Sequence, residues 1–225
     1  MTPNQVFSQV RDLIDLLLDN EIAITANSVV CERSGPRSRI TWQSSIGSWM
    51  PLTQSEFATI EEYRNYILNQ SYSVVLFDGS LMQVTYDFHR NDIEGHRLCY
   101  YPCPFEVDPG DLQILPILDV VDYYREETDK YLRLRSPIRF DYAPRNADRG
   151  HPASHVHFLR PSCRCAVVGA ISLGHFCRFI FSHFYPDLWR GYSFIRSFPL
   201  SYETRTIIPD EEYNLHFAYR RYIDI

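Results

Sequence analysis

Lysine is all but missing from this chain: Lys130 stands alone among 22 basic residues, the rest being arginine. A surplus of positive charge is missing too. The formal net charge is -6, which excludes nucleic-acid binding driven by charge spread over the whole surface. It leaves room for a local basic site, and such a site has to be built from arginine, which gathers after position 133. The nine glycines form no phosphate-cradling loop. No apolar run reaches membrane-spanning length, so no membrane association is expected. Nor does the N-terminus show a basic stretch followed by an apolar run and a small-residue cleavage site. The six cysteines are too few and too scattered for a disulfide framework. Together these shortages predict a cytoplasmic protein with free thiols.

Aromatic residues are plentiful, with 16 Tyr and 14 Phe, a composition that suits sheets. A chain of 225 residues is long enough to bury a sizeable core. The expectation is one α+β domain over residues 1–225, with a curved antiparallel sheet packed by helices on one face.

Val6, Val10, Leu13, Ile14 and Leu17 recur at helical spacing and predict a helix over Asn4–Asp19, with Thr2 as its cap and Pro3 in the first turn. Glu21 to Cys31 reads as a strand, and Ser38 to Gln43 as another beyond the Ser34-Gly35-Pro36 break. A helix is predicted from Thr53 to Asn69, with Thr53 or Ser55 as its cap. Ser73–Phe77, Leu81–Arg90 and His96–Tyr101 form a meander, turning at Asp78-Gly79 and at Asn91–Gly95. On its middle strand Met82, Val84, Tyr86 and Phe88 make one face, and Gln83, Thr85, Asp87 and His89 the other. Ile114–Thr128, with Leu115, Leu118, Val121 and Tyr124 or Tyr123 inward, and Leu173–Phe184 are further helices. The aromatic, arginine-containing tail after Trp189 reads as core closure or as an interaction surface.

The chemistry concentrates between Pro137 and Cys165. In Ile138–Tyr142 the apolar residues alternate with Arg139 and Asp141, and in Val156–Phe158 they alternate with His155 and His157. If both strands lie in one sheet, an arginine, a carboxylate and two imidazoles share a face. Histidines two apart on a strand sit about 6.6 Å apart and can flank one phosphate as acid and base. Arg139 is then the phosphate contact and Asp141 the carboxylate that orients an imidazole. That set suffices for RNA cleavage with the 2′-hydroxyl as nucleophile, and no metal or cofactor is assigned. Asp87 and Arg97 from the meander, with His151 and Arg145, are expected to border the same surface and bind substrate.

Two metal readings compete. A hairpin turning at Arg160-Pro161 would set His157 opposite Cys163 and His155 opposite Cys165, a zinc-like ligand set. Against it, four ligands on a flat sheet point in parallel and do not converge. Asp87, Asp141 and a histidine could instead serve a divalent-metal nuclease.

The Ile-Arg-Phe-Asp-Tyr block at 138–142 and the His-Pro-Ala-Ser-His-Val-His block at 151–157 resemble those of a bacterial family of unknown function, as do Cys163-Arg164 and Gly174-His175-Phe176. Arg139-Phe140-Asp141-Tyr142-Ala143-Pro144 and His155-Val156-His157 are also similar to blocks in small TumE-like toxins, with Arg145-Asn146 and Ser154 where those toxins carry further histidines. That likeness implies a toxin or defence role, an RNA substrate, and an antitoxin or defence ATPase as protein partner. The resulting expectation is a metal-independent, toxin-like ribonuclease. Its rival is a non-catalytic adaptor or regulatory subunit of a defence complex.

Overall fold

The sheet is built around one long central strand. In the computed structural model, which describes residues 1–43, 59–148, 150–158, 162–201 and 205–218, strand β5 (Leu81–His89) is bordered on one side along its whole length by β6 (Asp92–Tyr101). Its other edge is divided. Its first residues pair with β4 (Val74–Leu76), and its last with β3 (Arg37–Trp42). The remaining strands are β1 (Ala23–Ala26) on β4, β2 (Val29–Ser34) on β3, and β7 (Ile138–Tyr142), β8 (Ser154–Phe158) and β9 (Arg164–Ala166) in succession beyond β6. Every pairing is antiparallel.

Helix α1 (Pro3–Asp19) starts on a capping box between Thr2 and Gln5 and buries Val6, Val10, Leu13, Ile14 and Leu17. Helix α6 (Leu173–Phe184) is capped by Ser172, whose hydroxyl accepts the His175 N–H, and buries Phe176, Cys177, Ile180 and Phe181. Both pack on the face made by Met82, Val84, Tyr86, Phe88, Leu98, Tyr100, Ile138, Phe140 and Val156. The expected α+β domain, with helices packed on an antiparallel sheet, is thus the observed one. Gly174 is required in α6: a Cβ there would lie 2.5 Å from the Pro199 carbonyl oxygen.

The opposite face is covered at one end only. Helices α2 (Ile60–Leu68), α3 (Pro109–Ile114) and α4 (Ile117–Glu126) bring Tyr63, Leu112, Val120 and Tyr124 onto Val75, Leu81, Cys99 and Tyr101, forming a second apolar cluster. The short helices α5 (Thr128–Tyr131), α7 (Pro186–Gly191), α8 (Ser193–Ser197) and α9 (Pro209–Tyr213), with a 3-10 turn at Pro144–Asn146, complete the described elements.

Several expectations are corrected. The 21–31 strand is two strands, parted at Asn27-Ser28. The meander's second turn is the pair Arg90-Asn91, and Gly95 lies within β6 at a bulge opposite Asp87. The 114–128 helix is broken at Leu115-Pro116, leaving Leu115 and Tyr123 exposed, because proline cannot sit in a helix interior. Phe184 is also exposed. Helix α2 is capped by Thr59; the expected caps Thr53 and Ser55, the Arg160-Pro161 turn and the tail beyond residue 218 lie outside the described residues.

Candidate metal centre

Register carries the site. Across the sheet, Thr85, Arg97, Asp141 and His155 form one row of paired residues, and Gln83, Cys99, Arg139 and His157 form the next. All eight side chains take the face opposite α1 and α6, so the predicted gathering of Arg139, Asp141, His155 and His157 is present. Arg139, His155 and His157 are 2%, 1% and 1% exposed.

Asp141 is the hub. Arg139 grips it with Nε and Nη2 at 2.9 and 2.8 Å from Oδ2, and Arg97 Nε donates to Oδ1 at 3.3 Å. Burial pushes the carboxyl pKa up, but the hydrogen bond with His157 and the charges of Arg139 and Arg97 outweigh it and hold the group well below the usual carboxylate range. Burial lowers both imidazoles, His155 to about 4 against the pull of Asp141. At neutral pH the hub is therefore one carboxylate between two guanidiniums and two uncharged rings.

The rings converge. His155 Nε2 and His157 Nε2 are 3.0 Å apart, and Asp141 Oδ2 lies 3.3 Å from the latter and 3.9 Å from the former. Two ligand atoms at about 2.1 Å from one ion stand about 3.0 Å apart at right angles and about 3.4 Å apart in a tetrahedron, which brackets most of these separations. The three groups lie within 4.8 Å of one another and form a set able to hold a metal ion. The outer shell of His155 also fits a ligand, since its Nδ1–H donates to the Pro152 carbonyl at 2.7 Å and aims the Nε2 lone pair at the centre. His157 Nδ1 is buried and has no hydrogen-bond partner among the described residues.

This overturns the metal-independent ribonuclease. Two neutral imidazoles whose nitrogens are 3.0 Å apart leave no room for a phosphate between them, and neither is the imidazolium that a general acid has to be. The cysteine-containing zinc set is corrected as well. His157 pairs with Arg164, His155 with Ala166 and Val156 with Cys165, one residue away from the expected register. That shift puts Cys165 on the apolar side, where its thiol donates to the Leu215 carbonyl. All six cysteines are free.

A cleft of about 580 Å³ opens over the centre. The four residues expected to border it are all in its lining. Asp87 is held by Arg39 at 2.6 and 3.1 Å. Arg97 leans on Asp141, and Arg145 pairs with Glu94 at the rim. His151 stands edge-on to His155, ring centres 4.7 Å apart. Sequence reasoning missed Arg33, Arg37, Arg39 and Arg164, which bring the lining to seven arginines against four carboxylates. Parity on β3, where Arg37 and Arg39 share a face, was the available signal. Among the described residues no helix is long and apolar enough to cross a membrane.

An α+β domain with an Asp-His-His ligand set sunk in an arginine-lined cleft is the class that fold and site define. By its sequence the chain belongs to the family described as uncharacterised conserved protein DUF2290, whose model matches residues 21–219. No curated protein and no solved structure matches it, so the toxin likeness gains no support there.

Proposed function

We propose that this protein is a divalent-metal-dependent hydrolase whose centre is Asp141, His155 and His157. The observation that carries this reading is the convergence of their three ligand atoms within 4.8 Å. Two imidazole nitrogens and one carboxylate suit zinc, iron, manganese, cobalt or nickel better than calcium or magnesium. Such an ion, when bound, supplies a Lewis acid and brings a coordinated water's pKa down to about 7.

The chain's own residues do the rest. Arg139 fixes Asp141 from the buried side, and the Pro152 carbonyl sets the tautomer of His155. In the reaction a water oxygen bonds to the ester's electrophilic centre, the bond to the leaving alcohol breaks, and the alcohol departs with the proton the water gave up. His151, whose Nδ1 has no partner among the described residues, is the group placed to carry that proton. The same ligand set serves non-haem iron oxygenases; the surplus of arginine in the cleft favours hydrolysis of an anion. RNA as the substrate, with an antitoxin or defence ATPase as the partner, rests on the toxin-like blocks at 139–144 and 155–157 alone.

The test measures metal content and turnover of chromogenic carboxylate and phosphate esters after loading with zinc, manganese or cobalt. The expected result is one ion per chain with metal-dependent turnover, both lost in His155→Ala and His157→Ala. A loaded wild type that turns over no ester, or variants as active as wild type, would overturn the reading.

A further inference from the structure

Building on the metal centre just described, we propose that the cleft takes a phosphate ester, with Arg97 as the residue that holds its phosphoryl oxygens beside the ion. Charge carries it. Among the described residues, one carboxylate at the floor, Asp141, faces two guanidiniums, Arg139 and Arg97. One positive charge is left over before any ion arrives, and a divalent ion raises the excess to three. The histidines cannot offset it, since an imidazole is either neutral or cationic. The other carboxylates of the cleft are already committed to rim arginines. Asp87 is bound by Arg39, Glu94 by Arg37 at 3.4 Å and by Arg145, and Glu32 sits across the β2–β3 pair from Arg39. Uncompensated charge in a site this buried is costly, so the compensating anion has to come with the ligand.

Arg97 is built to meet it. Its side chain is 28% exposed, uses Nε on Asp141, and has no partner for its two Nη nitrogens among the described residues. The guanidinium fork matches two phosphate oxygens. Arg164, across from His157 on β9 and exposed, adds a second positive charge on the way in. Hydrolysis then forms a P–O bond to the water oxygen and breaks the ester P–O bond, and the alcohol leaves with the water's proton.

The position of Arg97 gives a test with opposite signs. Removing its charge beside Asp141 takes a repelling cation away from the metal and a binding group away from the phosphate. In titration calorimetry, Arg97→Met is expected to bind cobalt as tightly as wild type or more tightly. Loaded with cobalt, it is expected to bind inorganic phosphate at least about tenfold more weakly, each 1.4 kcal/mol of lost interaction being tenfold. In wild type, phosphate and cobalt should each raise the other's affinity by one common factor. Phenyl phosphate and diphenyl phosphate separate terminal from internal esters, binding of either supporting the proposal, with acetate as the control anion. Wild type that binds cobalt but prefers acetate to all three phosphates, or Arg97→Met with unchanged phosphate affinity, overturns the proposal and leaves the metal centre standing. Wild type that binds no cobalt removes the metal centre, and this inference with it.

Discussion

Two ends of one sheet face have met opposite fates. At the first, Val75, Leu81, Cys99 and Tyr101 are sealed by α2, α3 and α4 into a dry cluster. At the second, further along β5 and β6 and out onto β7 and β8, Thr85, Arg97, Asp141 and His155 lie under an open cleft. Parity is identical at both ends. What differs is the cover: helices supply it at the first, whereas at the second the polar side chains bury one another, Asp141 between Arg139 and the imidazoles. The first end is held by area removed from water, the second by mutual neutralisation of charge, so the two should fail in different ways.

The largest effect is expected from Asp141→Leu, which takes its carboxylate partner from the buried Arg139 and should cost about 3–5 kcal/mol in urea denaturation. The double variant Asp141→Leu with Arg139→Met should recover part of that loss, since the most deeply buried guanidinium is removed together with its carboxylate. Leu81→Ala at the dry end should cost about 2–5 kcal/mol through its cavity while metal affinity, measured by the same titration, stays unchanged.

A smaller effect comes from pH. His96 Nε2 accepts the Ile171 N–H at 3.0 Å, and burial pushes its pKa down to about 4 despite the pull of Asp141. Between its ordinary value of about 6.5 and this lowered one, the unfolded chain binds a proton that the folded chain does not. Stability is therefore full above that ordinary value and falls as pH drops toward the lowered one. Thermal melts across this window should show the decline, and His96→Gln should reduce it, with the lowered His155, His157 and His175 carrying the remainder. The smallest effect belongs to Arg145→Ala, an exposed rim pair with Glu94 worth about 0–1 kcal/mol, and screened by salt.

Much of the site was legible because strict alternation on β5, β7 and β8 leaves one register that buries the apolar side. That is why Asp87, Arg97, Arg139, Asp141, His155 and His157 were placed on one face correctly. The convergence of the rings was not legible: backbone spacing fixes where His155 and His157 start, while side-chain rotation brings their nitrogens together. The β8–β9 register failed for a related reason: a shift of one residue exchanges Cys165 for Arg164 on the site face. Pro116 was a readable helix break, overridden by the apolar pattern around it.

Cobalt titration of the wild-type protein, followed by its visible absorption, tests the central claim most directly. The account predicts one tight site per chain, with the spectrum of two nitrogen ligands and one oxygen ligand, abolished in His157→Ala. A protein that takes up no cobalt, or takes it up equally without His157, would contradict it.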